Sequence, residues 1–125
     1  MGLHQDLGHT AAWNAQVTGL KRWALVSPEY SDFVYQGKVC AFKPNKVRYP
    51  RFRKAAVWEG EVGAGEILFI PPAWWHQTVN LQTGFAITAN FVDRTNYQVV
   101  LSCLEEAEEF ELHQQLSEVV RRKVG

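Results

Sequence analysis

The alternation of apolar and polar positions divides the chain into a strand-rich body and a helical tail. Thr10–Val17 and Leu20–Val26 read as two strands joined by a turn at Thr18-Gly19, and Ser27-Pro28 stops the second. Four more strand segments follow over Val57–Val62, Ile67–Ile70, Trp75–Leu81 and Phe85–Val92. Gly63-Ala64-Gly65, Pro71-Pro72 and Gln82-Thr83-Gly84 separate them. Short strands with closely spaced turn signals predict an antiparallel sandwich or barrel. Between the two groups, residues 29–55 show no period. They read as a long irregular insert, with one short helix at Pro50–Ala56. From Asn96 the period changes. Val100, Cys103, Leu104, Ala107, Phe110, Leu116, Val119 and Val120 recur at helical spacing and predict a single helix with one apolar face. Its acidic first half, Glu105 to Glu111, and its basic end, Arg121-Arg122-Lys123, suit the helix macrodipole. The expected organisation is therefore a β body over 1–95 and an amphipathic helix over 96–125. The apolar side of that helix packs on the sheet or on a second copy of the chain, which makes a homodimer through the helix the expected self-association.

Two strands carry a polar face that an ordinary core would not need. In Trp75–Leu81 one face is Trp75, Gln77, Val79 and Leu81, and the other is His76, Thr78 and Asn80. In Phe85–Val92 one face is the apolar set Phe85, Ile87, Ala89 and Phe91, and the other carries Thr88 and Asn90. Either these polar faces look at solvent, or they line a polar pocket inside a barrel. Lys21 shares its strand face with Trp23 and Leu25, while Arg22 is on the opposite face. A lysine so placed either snorkels to a rim or pairs with an anion.

Composition narrows the classes. The 125 residues make one domain at most, 46% of them are apolar, and the formal charge is +0. No large basic field points to nucleic acid. The longest apolar run, Ile67 to Trp75, is too short to span a bilayer, and the first residues show neither a charged nor an apolar signal region. Cys40 and Cys103 have no metal-ligand spacing and read as reduced thiols. These features favour an intracellular chain, nuclear or cytoplasmic, with no membrane partner.

The candidate chemistry lies at His4-Gln5-Asp6 and His76. In an extended segment His4 and Asp6 leave the backbone on the same face, so both can reach one ion. Two histidines and a carboxylate form the ligand set of a non-haem Fe(II) facial triad, which leaves positions open for a co-substrate and O₂. Each piece alone is weak, and a hydrogen-bonded core histidine is the ordinary reading of His76. His9 is an alternative local ligand that would need a tight bend, and His113 falls on the helix. Gly63-Ala64-Gly65 lacks the Lys-Ser/Thr of a phosphate loop, and the chain has no HExxH motif. Lys38, Lys43, Lys46, Arg48, Arg51, Arg53 and Lys54 form a basic stretch, either a solvated loop or a substrate-docking surface.

These motifs in combination resemble the Jumonji-C family of Fe(II)- and 2-oxoglutarate-dependent oxygenases. The segments that carry the likeness are His4-Gln5-Asp6, Ala12-Trp13-Asn14-Ala15, Gly19-Leu20-Lys21-Arg22-Trp23, Gly65 to His76, Asn80-Leu81 and Ala86 to Phe91. The first three look most like the branch that includes the bifunctional arginine demethylase and lysyl hydroxylase. The resemblance spans roughly residues 3–92. It implies a mainly β, double-stranded β-helix core of jelly-roll or cupin type, incomplete at its amino terminus, followed by the α-helix. It implies iron held by His4, Asp6 and His76. Lys21 would pair with the distal carboxylate of 2-oxoglutarate with help from Thr88 and Asn14, and Asn90 matches a pocket position. The implied reaction hydroxylates or N-demethylates a side chain of a protein or peptide substrate, consuming O₂ and yielding succinate and CO₂.

Family domains carry more sequence before the first ligand, so the chain is expected to be a truncated form with an open barrel edge. Against the oxygenase stand two other expectations: a non-catalytic binding module on the same fold, and a metal-dependent cupin of other chemistry. Lys21 with Thr88 opposes the latter, because those positions would then hold no co-substrate.

Overall fold

The computed structural model describes residues 2–123. Six strands form two antiparallel sheets of three: β1 (Ala11–Gln16), β2 (Leu20–Val26), β3 (Val57–Gly63), β4 (Ile67–Ile70), β5 (Trp75–Gln82) and β6 (Ala86–Phe91). One sheet has the order β4-β1-β6 and the other β3-β2-β5. Each short link, at residues 17–19, 64–66 and 83–85, carries the chain from one sheet to the other. This is the winding of a jelly-roll core, and it accords with the sandwich that the turn spacing predicted.

The three links meet at one end of the sandwich and close it. The Gln16 N–H donates to the Glu66 carbonyl at 3.0 Å, the Gly65 N–H to the Gln16 carbonyl at 2.8 Å, and the Val17 N–H to the Phe85 carbonyl at 3.0 Å. Gly84 is needed there, because a Cβ on it would lie 2.1 Å from the Thr18 carbonyl oxygen. The opposite end stays open, and all the longer connections, including residues 2–10 and 71–74, run past it.

The insert between β2 and β3 is more than a loop. Its three short 3₁₀ turns, Pro28–Phe33, Tyr35–Gly37 and Pro50–Lys54, bring Val34, Val39, Ala41 and Phe52 onto Ala24 and Val26 of β2. These residues are all buried, so the insert supplies four of the seven buried residues of the main core. Its hydrophobic positions follow no period because only Phe52 lies within a 3₁₀ turn, while Val34, Val39 and Ala41 come from the links between turns. A second cluster between the sheets joins Ala12, Trp23, Val62 and Ile70.

On the polar faces of β5 and β6, His76, Thr78, Thr88 and Asn90 line the gap between the sheets, with Thr88 and Asn90 still open to solvent. The apolar face of the first sheet points out: Ile67, Phe69 and Ile87 are 70%, 55% and 54% exposed. The tail is two helices rather than the single one that periodicity predicted. α1 (Tyr97–Glu106) ends where Glu108 takes a φ of 58°, and α2 (Phe110–Lys123) follows. The Glu109 N–H reaches back to the Leu104 carbonyl at 2.9 Å, a reversed turn made without the glycine that usually marks one. α1 is fixed to the body by Val100 and by buried Asn96, whose amide donates to the carbonyls of His9 and Phe91. No helix among the described residues is long and apolar enough to cross a membrane.

Gly84→Ala is expected to destabilise the closed end by roughly 1–3 kcal/mol. A fall in the urea midpoint at unchanged slope would show this, and an unchanged midpoint would mean the three links are not packed as described.

Candidate metal centre

The site sits at the open end and begins as a backbone feature. His4 and His76 form an isolated antiparallel bridge. The His4 N–H donates to the His76 carbonyl at 3.0 Å and the His76 N–H to the His4 carbonyl at 2.8 Å. Directly opposed residues of such a pair project to the same side, and the two imidazole rings stand 4.2 Å apart, centre to centre. Asp6, two residues along an extended chain, returns to that side. Its Oδ1 lies 3.2 Å from His76 Nε2 and 3.9 Å from His4 Nε2. One ligand atom from each of the three residues falls within 4.8 Å of the other two.

The histidines are prepared for a cation. His4 Nδ1 lies 2.9 Å from the Gly2 carbonyl and His76 Nδ1 lies 3.1 Å from the Trp74 carbonyl. A carbonyl only accepts, so each Nδ1 carries the proton and each Nε2 offers its lone pair. Burial pushes His76 below the ordinary histidine range. The Trp74 carbonyl pulls the other way, His4 adds to the fall and Asp6 opposes it. The ring is therefore neutral at neutral pH, the form that ligates. Asp6 is oriented in turn by Asn90, whose amide donates to its Oδ2 at 2.8 Å and to Thr10 Oγ1 at 2.9 Å.

Two contacts that pattern reading missed hold the ligand strand. Gln5 Nε2 donates to the Ala73 carbonyl at 2.7 Å, fastening that strand to the turn before β5. Gly37 lets buried Leu3 pass against the insert. A Cβ at Gly37 would lie 2.0 Å from the Leu3 carbonyl oxygen, and its φ of +83° suits glycine alone. Neither signal is local in sequence, since each depends on where a distant backbone runs.

Behind the triad a cavity of about 250 Å³ opens between the sheets. Lys21, Asn14, Thr88 and Asn90 all line it with His4, Asp6 and His76. Register explains the gathering: Asn14 stands opposite Thr88, Ala12 opposite Asn90, Trp23 opposite Thr78 and Leu25 opposite His76. Trp23 and Thr78, not singled out as site residues from sequence, also line the wall. Lys21 has no carboxylate within ion-pair reach among the described residues, and its ammonium sits 5.8 Å from the centre of the Trp23 ring. Asn14 Oδ1 and Trp23 Nε1 are buried without a protein partner. Thr88 gives its hydroxyl proton to the Trp13 carbonyl at 2.9 Å, so it faces the cavity as an acceptor. His9 and His113 lie outside the triad, and Cys40 and Cys103 are free thiols.

This fold defines a cupin-type domain with a candidate His/Asp/His metal site, and comparison with known proteins narrows the class. The cupin-like domain family matches residues 1–97, and the chain belongs to that family in its JmjC form. It is 33% identical to the Arginine-specific demethylase JMJ20 of Arabidopsis thaliana over 108 residues, covering 82% of this chain and 23% of that protein. It is 33% identical to the Bifunctional arginine demethylase and lysyl-hydroxylase psr-1 of Caenorhabditis elegans over 112 residues, covering 78% of this chain and 28% of the relative. It is 28% identical to the 2-oxoglutarate and iron-dependent oxygenase JMJD4 of Danio rerio over 111 residues, covering 82% and 26%. The chain thus spans about a quarter of the length of these relatives.

Gly37→Ala is expected to weaken Mn(II) binding more than Gly65→Ala does. Gly65 has a φ of +85° but open space around it, so both variants carry the roughly 1–2 kcal/mol conformational cost and only the first displaces Leu3 and the ligand strand. Equal Mn(II) affinities of the two variants by calorimetry would remove Gly37 from the account of the site.

Proposed function

We propose that the chain is the catalytic core of an Fe(II)- and 2-oxoglutarate-dependent oxygenase that hydroxylates or N-demethylates a side chain of a protein substrate. The observation that carries this reading is the convergence of His4, Asp6 and His76 Nε2/Oδ atoms beside a cavity whose lysine has no carboxylate within ion-pair reach among the described residues. Two neutral imidazoles and one carboxylate fit Fe(II), leaving residual positive charge and open positions for a keto acid. The Lys21 ammonium, with no carboxylate within ion-pair reach among the described residues, fits the distal carboxylate of such an acid in the same way. The names of the relatives, which include an iron- and 2-oxoglutarate-dependent oxygenase, two demethylases and a lysyl hydroxylase, support the class. An intracellular location belongs to the same proposal.

When bound, iron with 2-oxoglutarate and O₂ supplies the oxidising chemistry, in which loss of CO₂ to give succinate is coupled to insertion of one oxygen atom into a substrate C–H bond. The chain supplies placement. His4 and His76 present their lone pairs because both Nδ1 protons are held by backbone carbonyls. Asp6 supplies the negative charge, and Asn90 fixes its carboxylate. That role leaves Asn90 little capacity to donate to a co-substrate. Lys21 holds the distal carboxylate by a charge-assisted hydrogen bond. Trp23 and Ile70 give one wall of the cavity an apolar surface.

Anaerobic titration calorimetry of 2-oxoglutarate into the chain, with and without Mn(II), tests this. Binding should require the metal. His76→Ala should abolish Mn(II) binding, whereas Lys21→Ala should keep the metal and weaken 2-oxoglutarate by about 10–100-fold, the worth of one charged hydrogen bond. Metal binding that survives both His76→Ala and Asp6→Ala would overturn the triad. Metal binding with no 2-oxoglutarate binding at all would point to a non-catalytic module.

A further inference from the structure

The triad has a second face. A cavity of about 320 Å³ outside the sandwich is lined by His4, Asp6, Gln36 and Trp75. It shares Gln36 with a larger cavity of about 550 Å³ lined by Asp32, Tyr35, Lys38 and Arg51. The metal-binding side chains therefore open, through Gln36, onto the surface of the insert.

That surface has an uncommon charge character. Residues 33–58 contain seven Lys or Arg and no Asp or Glu. All seven cations are exposed, and none has a carboxylate within ion-pair reach among the described residues. Three of them are braced rather than loose. Arg48 lies over Tyr49 with its guanidinium carbon 5.6 Å from the ring centre, Arg51 lies over Tyr35 at 5.0 Å, and the Lys54 ammonium lies 5.8 Å from the Phe33 ring centre. The Tyr35 and Tyr49 rings pack together at 4.9 Å, so Arg48, Tyr49, Tyr35 and Arg51 form one stack. The Arg51 backbone N–H donates to the Tyr35 hydroxyl at 2.9 Å and locks its inner end. Holding long cationic side chains in place removes much of the entropy that a surface ion pair normally costs.

We propose that this braced basic face docks an acidic peptide segment, the part of a protein substrate that flanks the side chain presented to His4, Asp6 and His76. Guanidinium forks without counter-ions match carboxylates. Single-stranded nucleic acid fits less well, because the aromatic faces on which bases would stack are covered by the chain's own cations, and the chain as a whole carries no net charge. The role of this segment as substrate rests on the oxygenase reading. The anion-docking face does not, and its test needs no turnover.

Fluorescence anisotropy of three labelled peptides, a central lysine flanked by Glu, by Gln or by Lys, is the test, with an oligonucleotide of the same charge as the Glu peptide alongside. The Glu peptide should bind about tenfold tighter than the Gln peptide, lose that margin as salt rises, and lose it in Arg48→Glu/Arg51→Glu. Lys38→Glu/Lys54→Glu leaves the tyrosine stack intact and should also lose it, which guards against a folding defect in the first variant. Mn(II) affinity should be unchanged in both. Equal binding of the Glu and Gln peptides, tighter binding of the oligonucleotide, or a preference that survives both variants would overturn the proposal. Absence of Mn(II) binding alongside a retained Glu preference would instead count against the oxygenase reading.

Discussion

The site depends on one pair of backbone hydrogen bonds, those that join His4 to His76. Seventy-two residues separate the two histidines in sequence, and no strand of either sheet contains His4. The bridge alone converts a short amino-terminal segment into an added strand at the open end of the sandwich. It sets the imidazoles side by side with their planes tilted by 59°, and the extended backbone then returns Asp6 to the same side. Leu3 in the main core on one flank, and Gln5 bonded to Ala73 on the other, keep the bridge in register. A slip of one residue would send both His4 and Asp6 to the wrong face.

Around that bridge the fold inverts the ordinary distribution of polarity. The gap between the sheets holds Asn14, Lys21, His76, Thr78, Thr88 and Asn90, while Ile67, Phe69 and Ile87 face outward. Burying an amide oxygen and an indole N–H without partners costs stability, and Asn14 Oδ1 and Trp23 Nε1, both on residues that line the cavity, are in that position. The expense is offset by the insert, whose valines and Phe52 complete a conventional core on the far side of β2. The domain thus separates its two tasks. One side of the β2 sheet holds the structure together, and the other faces a cavity shaped for a polar guest. Departures from core rules concentrated at one place are what a functional site looks like.

Much of this was legible in the residues. Alternation gave all six strands within a residue or two, and it separated His76, Thr78 and Asn80 from Trp75, Gln77 and Val79 correctly. What alternation left open was which face looks inward, because that depends on the partner sheet rather than on the strand. Resemblance, not periodicity, supplied the expectation that Lys21, Asn14 and Thr88 gather beside the triad. The insert's core role was invisible because Val34, Val39 and Ala41 lie in irregular links and Phe52 in a short 3₁₀ turn, with no common period. The break between α1 and α2 was hidden as well, because apolar spacing continues through Ala107 and Phe110 and no glycine marks the reversal at Glu108. Gly37 and Gln5 act on segments remote in sequence, and nothing local announces them.

X-ray absorption at the iron edge of the anaerobic Fe(II)-loaded chain reads the identity of the metal's ligands directly. The expected spectrum has a first shell of nitrogen and oxygen only, with the multiple scattering of two imidazoles, and it changes when 2-oxoglutarate is added. A sulfur scatterer, a single imidazole, or a shell indifferent to 2-oxoglutarate would contradict the site built from His4, Asp6 and His76.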